Sequence, residues 1–487
     1  MFLIPPRHEG KWVSREYKDG YFDLPHPPYL MLSIAATVNQ ELPDAELLWV
    51  DAQLEKLTFE QVRTRVLSLE PDLIVCSLGI ISIRGDSAFL EFPFPTIGVM
   101  PATLDKEEGI RKYHLKAFCF PDRDHEKTVA EVAIALFSGE NCDAVKGLYL
   151  NNEGEVVFTG DRPLPSLDAL SSPLYGLVDV CKYLDAQRAE CGTDYLFIFT
   201  ARGCPFGCEF CAPPGSFYRK VRYRSPLRVV DEIRSLVNDY GITNFYFMDD
   251  EFASDIERAK EICRLLIASQ LQISFVIYNA VKLVDKELLG LLRDAGCSLV
   301  RYGVETADWK VQETMGKKLS LADIASAFEL TRRAGILADA FFMVGFPGET
   351  KESLEQNLRL IKTIKPDRVT MGILFPKPYS RMYQRMRADG ELLVDDWSEL
   401  FPGRYCFKHE FYKSYDELRQ ASKWLAQRAD RAISLREIFE NRTGLTLYSR
   451  LGRYLVTFPF VSQLVKKNIV VESLLRRVYQ PASKLKI

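Results

Sequence analysis

The stretch at residues 201–215, ARGCPFGCEFCAPPG, sets Cys204, Cys208 and Cys211 in a C-x3-C-x2-C spacing on a glycine-rich loop. Three thiolates placed so closely can converge on one metal centre. A tetrahedral structural zinc asks for a fourth ligand, and no nearby cysteine or histidine offers one; the nearest, Cys191, comes earlier in the chain. A 4Fe-4S cluster held by three cysteines keeps one iron open to a cofactor or substrate, so the spacing favours a catalytic cluster. Further along, FYFMDDEF groups three carboxylates, Asp249, Asp250 and Glu251. RYGVETAD contributes Gly303 and Glu305, and MVGFPGET contributes Gly345. A helix start would explain Ser254 with Glu257 three residues on as a capping box, but not the three carboxylates before it.

These residues need a scaffold, and the composition permits a large one. The chain has 487 residues, 47% hydrophobic and 26% charged, with a formal net charge of -3, which excludes a disordered or collagen-like chain. Eleven cysteines without a secretory signal read as thiols or metal ligands in a reducing, cytoplasmic setting. No apolar run is long enough to span a membrane. Residues 404–487 carry 17 Lys and Arg against 7 Asp and Glu, a basic tail with a short apolar stretch at 455–465 that allows peripheral membrane contact.

The fold class expected is α/β. Strands are expected at 1–4, 46–50, 72–77, 96–99 and 117–120, alternating with helices at 30–39, 58–68 and 126–137, a Rossmann-like pattern over residues 1–140. Residues 141–190 read as a hairpin turning at Asn152, Glu153 and Gly154 and a Pro-rich connector. A second series follows over 191–400, with strands at 195–200, 244–249, 273–279, 299–304, 338–345 and 368–375. Six βα units predict a (β/α)6 partial barrel whose functional groups gather at the C-terminal strand ends. The three-cysteine loop follows the first of these strands, the carboxylates the second, Asn279 ends the third, and the two glycine motifs end the fourth and fifth. Residues 401–487 read as a helical, basic region.

In this setting the C-x3-C-x-aromatic-C motif, with Phe210 at the aromatic position, resembles the radical S-adenosylmethionine (SAM) superfamily. The resemblance implies that Cys204, Cys208 and Cys211 ligate three irons of a 4Fe-4S cluster while SAM chelates the fourth, and that reductive cleavage of SAM yields a 5′-deoxyadenosyl radical. It implies contacts from Asp249, Asp250 and Glu251 to the SAM amino group, from Asn279 to the ribose or the substrate, from Glu305 to the ribose with Gly303 permitting close approach, and from the loop at Gly345 to the adenine. The Rossmann-like domain ahead of the barrel resembles the branch with a cobalamin-binding-type domain, many of whose members are methyltransferases. That resemblance covers roughly residues 1–395.

The chain departs from that branch in its first domain. It has no D-x-H-x-x-G motif, its element between the third and fourth strands is short, and SLGIISIRGDSAFLEFPFP, IGVMPAT and FPDRDHEKT stand where glycine-rich turns are expected. Cobalamin-dependent C-methylation of a small biosynthetic substrate is the leading expectation. Cobalamin-independent dehydration, deoxygenation or rearrangement of a sugar-like diol is the alternative, with Tyr218, Arg222 and Glu349 as groups facing the barrel mouth. A non-catalytic metal-binding interaction protein is a third reading, and nucleic-acid modification a fourth without an RNA-binding module to support it. An electron donor such as flavodoxin or ferredoxin is implied, and an accessory protein is allowed. His8, His26, His114, His125 and His409 form no ligand spacing and receive no role.

Overall fold

The computed structural model describes residues 1–7, 12, 25–79, 82–99, 107, 110–111, 117–119, 124–211, 220–378, 380–394, 396, 399–400 and 403–440, with 450, 451, 454 and 457. Tyr218, His8, His114 and the apolar stretch at 455–465, save Thr457, lie outside these residues. Within them, two large sheets, the first mostly and the second wholly parallel, follow one another along the chain.

The first sheet contains β1 (Phe2–Ile4), β2 (Trp49–Asp51), β3 (Ile74–Ser77), β4 (Thr96–Val99), β5 (Ala117–Cys119), β6 (Tyr149–Asn152) and β7 (Glu155–Phe158), in the order β2-β1-β3-β4-β5-β6-β7. β1 to β5 are parallel and mostly apolar, as strands covered on both faces must be. Helices Tyr29–Glu41 and His125–Ser138 share a core with one face through Ile34, Ala35, Val129 and Ala133. Helix Phe59–Leu69 buries Val62 and Val66 against the other. The hairpin expected in the connector pairs antiparallel with β5 and completes this sheet. Between β3 and β4 lies the expected short element, a four-residue helix Ile83–Asp86 whose Asp86 carboxylate accepts from Gly79 N and Ser82 Oγ.

The second sheet contains β8 (Leu196–Ile198) and, after a small antiparallel ribbon of β9 (Ala201–Arg202) and β10 (Arg222–Tyr223), β11 (Asn244–Phe247), β12 (Ser274–Asn279), β13 (Cys297–Glu305), β14 (Leu337–Val344) and β15 (Arg368–Ile373). Its order is β15-β14-β13-β12-β11-β8, all parallel. Each βα unit therefore advances the sheet by one position, the open barrel predicted from the sequence. Helix Pro226–Tyr240 shows how local chemistry sets the elements. Proline opens it where its missing N–H costs nothing, Val229, Ile233 and Leu236 bury one stripe, and Gly241 stops it in a left-handed conformation. One local expectation is corrected: the helix after β11 is capped by Asp255, whose side chain accepts from Arg258 N, and Ser254 Oγ instead donates to Glu251 O. An aspartate one residue on has the better acceptor for the free amide. Helix Tyr415–Glu440 then packs outside β14 and β15, and among the described residues no helix is long and apolar enough to cross a membrane.

The two sheets share core. Tyr29 and Leu32 belong to the barrel's apolar cluster, and the Tyr29 ring lies 4.7 Å from that of Phe199. A buried ion pair reinforces this joint: Arg202, two residues before Cys204, meets Glu126 in the first turn of the helix after β5, with side-chain exposures of 6% and 0%. Burial alone would raise the Glu126 pKa, but the Arg202 guanidinium and His125 beside it outweigh that and hold the carboxyl down at about 2. Because the folded pKa lies below the unfolded one, this stabilisation is complete above the ordinary glutamate range and is lost as pH falls towards about 2. Glu126→Gln, which strands a buried guanidinium, is predicted to cost about 3–5 kcal/mol. Denaturant unfolding at neutral pH checks this, and the double variant E126L/R202M should recover most of the loss; an unchanged midpoint for E126Q would show that the pair does not hold the joint.

Candidate active site

The cluster loop begins where the chain leaves β8. Asp249, just beyond β11, turns its buried carboxylate back across the sheet to accept from Thr200 N at 2.6 Å, Ala201 N at 2.9 Å and the Thr200 hydroxyl. This fixes the path into the loop. Four more contacts fix the loop itself: Glu209 N donates to Met315 O, Met382 N donates to Glu209 O, and Arg381 donates to Gly207 O while pairing with the Glu209 carboxylate at 3.2 Å. Phe210 meets Phe346, at the end of β14, edge to face at 5.2 Å. The aromatic position thus seals the loop against the barrel.

Cys204, Cys208 and Cys211 are unpaired thiols on this loop. Burial pushes all three up, Cys211 to about 12, so none ionises readily without a cation. The Cys211 thiol lies within electrostatic range of Cys208 and Cys204, with Lys377 and Lys317 drawing it down. Among the described residues no three His, Cys, Asp or Glu side chains converge as ligands of a single ion. The three thiols share one loop, and soft sulfur donors are of the kind that suit an iron–sulfur cluster.

Around the thiols stand carboxylates of two kinds. Asp250 and Glu251 lie within range of Cys204. Glu251 is 4% exposed and its Oε1 has no hydrogen-bond partner among the described residues. Burial pushes it up to about 8 against the pull of backbone amides and Lys317. A buried acceptor without a donor marks a place for an incoming N–H. Glu305 is different: its Oε1 accepts from Lys317 Nζ at 2.9 Å, beside Cys208. The β13–β14 register shifts between Gly303 and Glu305, and Glu305 has φ +66°. Gly303 allows the pair to form, because a Cβ there would lie 2.7 Å from both Glu305 Oε1 and Lys317 Nζ.

The structure thus gathers Cys204, Cys208, Cys211, Asp250, Glu251 and Glu305 into one region and adds Lys317, which no motif announced. Phe210 borders it. Other expected residues face elsewhere. Asn279 accepts from Ala253 N and donates to Ala280 O and Leu283 O, so it braces the turn after β12. Gly345 N donates to the Glu349 carboxylate, and a Cβ at Gly345, where φ is +98°, would strike Leu418 of the C-terminal helix. Glu349 was expected at the barrel mouth but is 1% exposed, pushed up to about 7 by burial, and accepts from Tyr412 at 2.6 Å. Its role is to pin the C-terminal region to the loop after β14. His409, left without a role by the sequence, joins it through Nε2 and Phe346 O at 2.7 Å. Arg222 donates to Pro165 O in the connector.

Comparison with known proteins agrees with this geometry. The sequence profile of the Radical SAM superfamily matches residues 198–361. An uncharacterized methyltransferase of Pyrococcus horikoshii is 26% identical over 383 residues, covering 76% of this chain and 81% of its own length. The anaerobic magnesium-protoporphyrin IX monomethyl ester cyclase of Cereibacter sphaeroides is 28% identical over 72% of this chain, which spans only 58% of that relative. In structure, the radical SAM methyltransferase TsrM of Kitasatospora setae, solved with cobalamin and a [4Fe-4S] cluster bound, superposes with a TM-score of 0.67 at 16% identity, over 99% of each chain. The first sheet, the barrel and the C-terminal helix together therefore form a fold that TsrM shares. With its barrel matched by the superfamily profile and its three cysteines on the loop after the first barrel strand, the chain carries a radical SAM domain over residues 198–361.

Proposed function

We propose that this protein is a cobalamin-dependent radical SAM methyltransferase that modifies an unactivated carbon of a small biosynthetic molecule. The observation that carries this reading is the joint between the sheets. Glu126, opening the helix after β5, grips Arg202 two residues before the first cluster cysteine. The C-terminal edge of the first sheet is thereby tied to the barrel mouth, and in open parallel sheets that edge is where ligands bind. Beside the ends of β1 and β2 it bears a cavity of about 540 Å³ lined by Arg7, Lys56, Phe59, Gly85 and Phe89 among others. Two cations, two rings and strand-end backbone suit a large cofactor bearing amides and a phosphate. The printed functions of relatives support the same chemistry: besides the Pyrococcus horikoshii protein, they include a cytidylyl-2-hydroxyethylphosphonate methyltransferase and a hopanoid C-2 methylase.

When bound, the cluster and SAM supply a 5′-deoxyadenosyl radical and cobalamin supplies a transferable methyl group. The chain positions them. Cys204, Cys208 and Cys211 hold iron, Glu251 and Asp250 receive the amino group of SAM, and Glu305 with Lys317 forms a polar wall at the end of β13. Phe210 and Phe346 keep water from the cluster side. Asp249, Asn279 and Gly345 act as positioning residues. A flavodoxin- or ferredoxin-type protein in the cytoplasm delivers the electron. The cyclase among the relatives and the shortened element at Ile83–Asp86 favour one second reading, a radical reaction without methyl transfer.

Two measurements test this. Anaerobic reconstitution with SAM, reductant and cobalamin should yield 5′-deoxyadenosine and leave cobalamin on the protein after gel filtration. Deoxyadenosine without retained cobalamin would favour the second reading. Separately, Glu251→Gln should weaken SAM binding about tenfold, the worth of a hydrogen bond to a charged acceptor. It should also stabilise the apoprotein in the alkaline range. Since the folded pKa of Glu251 is raised to about 8, its burial favours folding with the proton on, and stability is lost as pH rises towards that value. Glutamine has no charge to bury. Weaker SAM binding together with a more alkali-stable apoprotein identifies a binding residue; loss of both would mark Glu251 as structural.

A further inference from the structure

The concave face of the barrel is chemically unlike its convex face. On β11 to β14 the outward residues Phe247, Ile277, Val300, Tyr302 and Phe342 are fully buried in the apolar core, and Tyr302 packs on Phe328 of the surrounding helices. By the twofold alternation of strands, Tyr246, Tyr278, Arg301, Phe341 and Thr370 face the other way, into the barrel. All five are partly exposed, so this face borders accessible space.

At its centre stands Arg301. Its guanidinium carbon lies 5.3 Å from the Tyr246 ring, 5.4 Å from Tyr278 and 5.8 Å from Phe341. One N–H donates to Tyr278 OH at 3.0 Å, and Nε comes only within 3.7 Å of Asp339, leaving that buried atom without a hydrogen-bond partner. Asp339 is fully buried, accepts from Thr370 and lies 4.0 Å from Arg368. Two guanidinium groups thus lie beside one carboxylate, at 3.7 Å for Arg301 and 4.0 Å for Arg368. A guanidinium with most of its donors unused, caged by aromatic rings and facing accessible space, is built to take a planar anion.

We infer that Arg301 binds a carboxylate of the substrate, so that this enzyme acts on a small acid held by its anionic end at the barrel floor. This rests on the reading of the chain as a radical SAM enzyme whose substrate enters the barrel. The planar fork of the guanidinium matches a carboxylate bidentately. The strand supplies a ruler: Arg301 precedes Glu305, at the cluster end, by four residues on β13, roughly 13 Å at about 3.3 Å per residue. After the reach of the arginine side chain, the reacting carbon lies several bonds from the acid group.

The test uses the reconstituted full-length protein and a panel of small aromatic and aliphatic acids, each paired with its primary amide and its phosphonate, read by ligand-detected NMR. The wild type should bind acids at least tenfold tighter than the matched amides. Arg301→Gln should abolish that preference, and Arg301→Lys, which keeps the charge without the planar fork, should retain part of it. Acids and amides binding alike to the wild type, or a preference that survives in R301Q, would overturn the inference; phosphonates binding tighter than acids would overturn the carboxylate assignment. If R301Q fails to fold, judged by iron content and circular dichroism, R301K decides: full wild-type preference in it refutes the need for the planar fork. Deoxyadenosine formation by the wild type without substrate is followed in parallel, and its absence would count against the enzymatic reading while leaving the binding result to stand.

Discussion

Three partly buried thiols gathered on one loop resist ionisation, and contacts from across the fold hold that loop in place. Desolvation opposes their charge, Lys317 offsets it in part at Cys208 and Cys211 and Lys377 at Cys211, and a cluster of iron ions would supply the rest. Such a loop has to be held open and in place before metal arrives. Asp249 holds its entry, the Glu126–Arg202 pair its first strand, and Met315, Arg381 and Met382 its tip. Every one of these partners is remote in sequence, so the completed fold shapes the loop together with Gly203, whose φ of +104° admits the turn into it.

The same contacts join the two sheets. A buried ion pair seldom adds much net stability, because each charge gives up its hydration. Its value at Glu126 and Arg202 is geometric. It sets the edge of the first sheet against the mouth of the barrel in one register, while the apolar contact of Tyr29 with Phe199 provides adhesion. At the other end of the chain, Tyr412 and His409 fasten the C-terminal region to the loop after β14 through Glu349 and Phe346. Both additions to the barrel therefore act on loops that border the cluster.

Much of this was legible in the sequence. Apolar runs alternating with amphipathic stretches gave both sheets and the order of the six barrel strands, since period and turn chemistry are local. The cysteine loop was legible because its three cysteines stand close together in the sequence. Contacts between distant segments were not. Lys317 lies in an unremarkable helix-to-loop stretch and matters only because Gly303 leaves room for it beside Glu305. Asp249 and Glu251 are two residues apart in one acidic run, yet one braces Thr200 and the other keeps a free acceptor, a difference set by which way each strand-end side chain turns. The hairpin was visible as a hairpin, but its pairing with β5 was not. The Arg301 cage draws on four strands, and none of its residues stands in a motif.

The claim on which all of this rests is that the loop holds a cluster with one iron open to SAM. Electron paramagnetic resonance of the anaerobically reconstituted, dithionite-reduced protein tests it most directly. A reduced 4Fe-4S signal that changes on addition of SAM, and that disappears in the Cys204, Cys208 and Cys211 alanine variants while persisting in a Cys297→Ala variant, is the predicted result. A signal indifferent to SAM, or a metal content unaltered by loss of those three thiols, would contradict it.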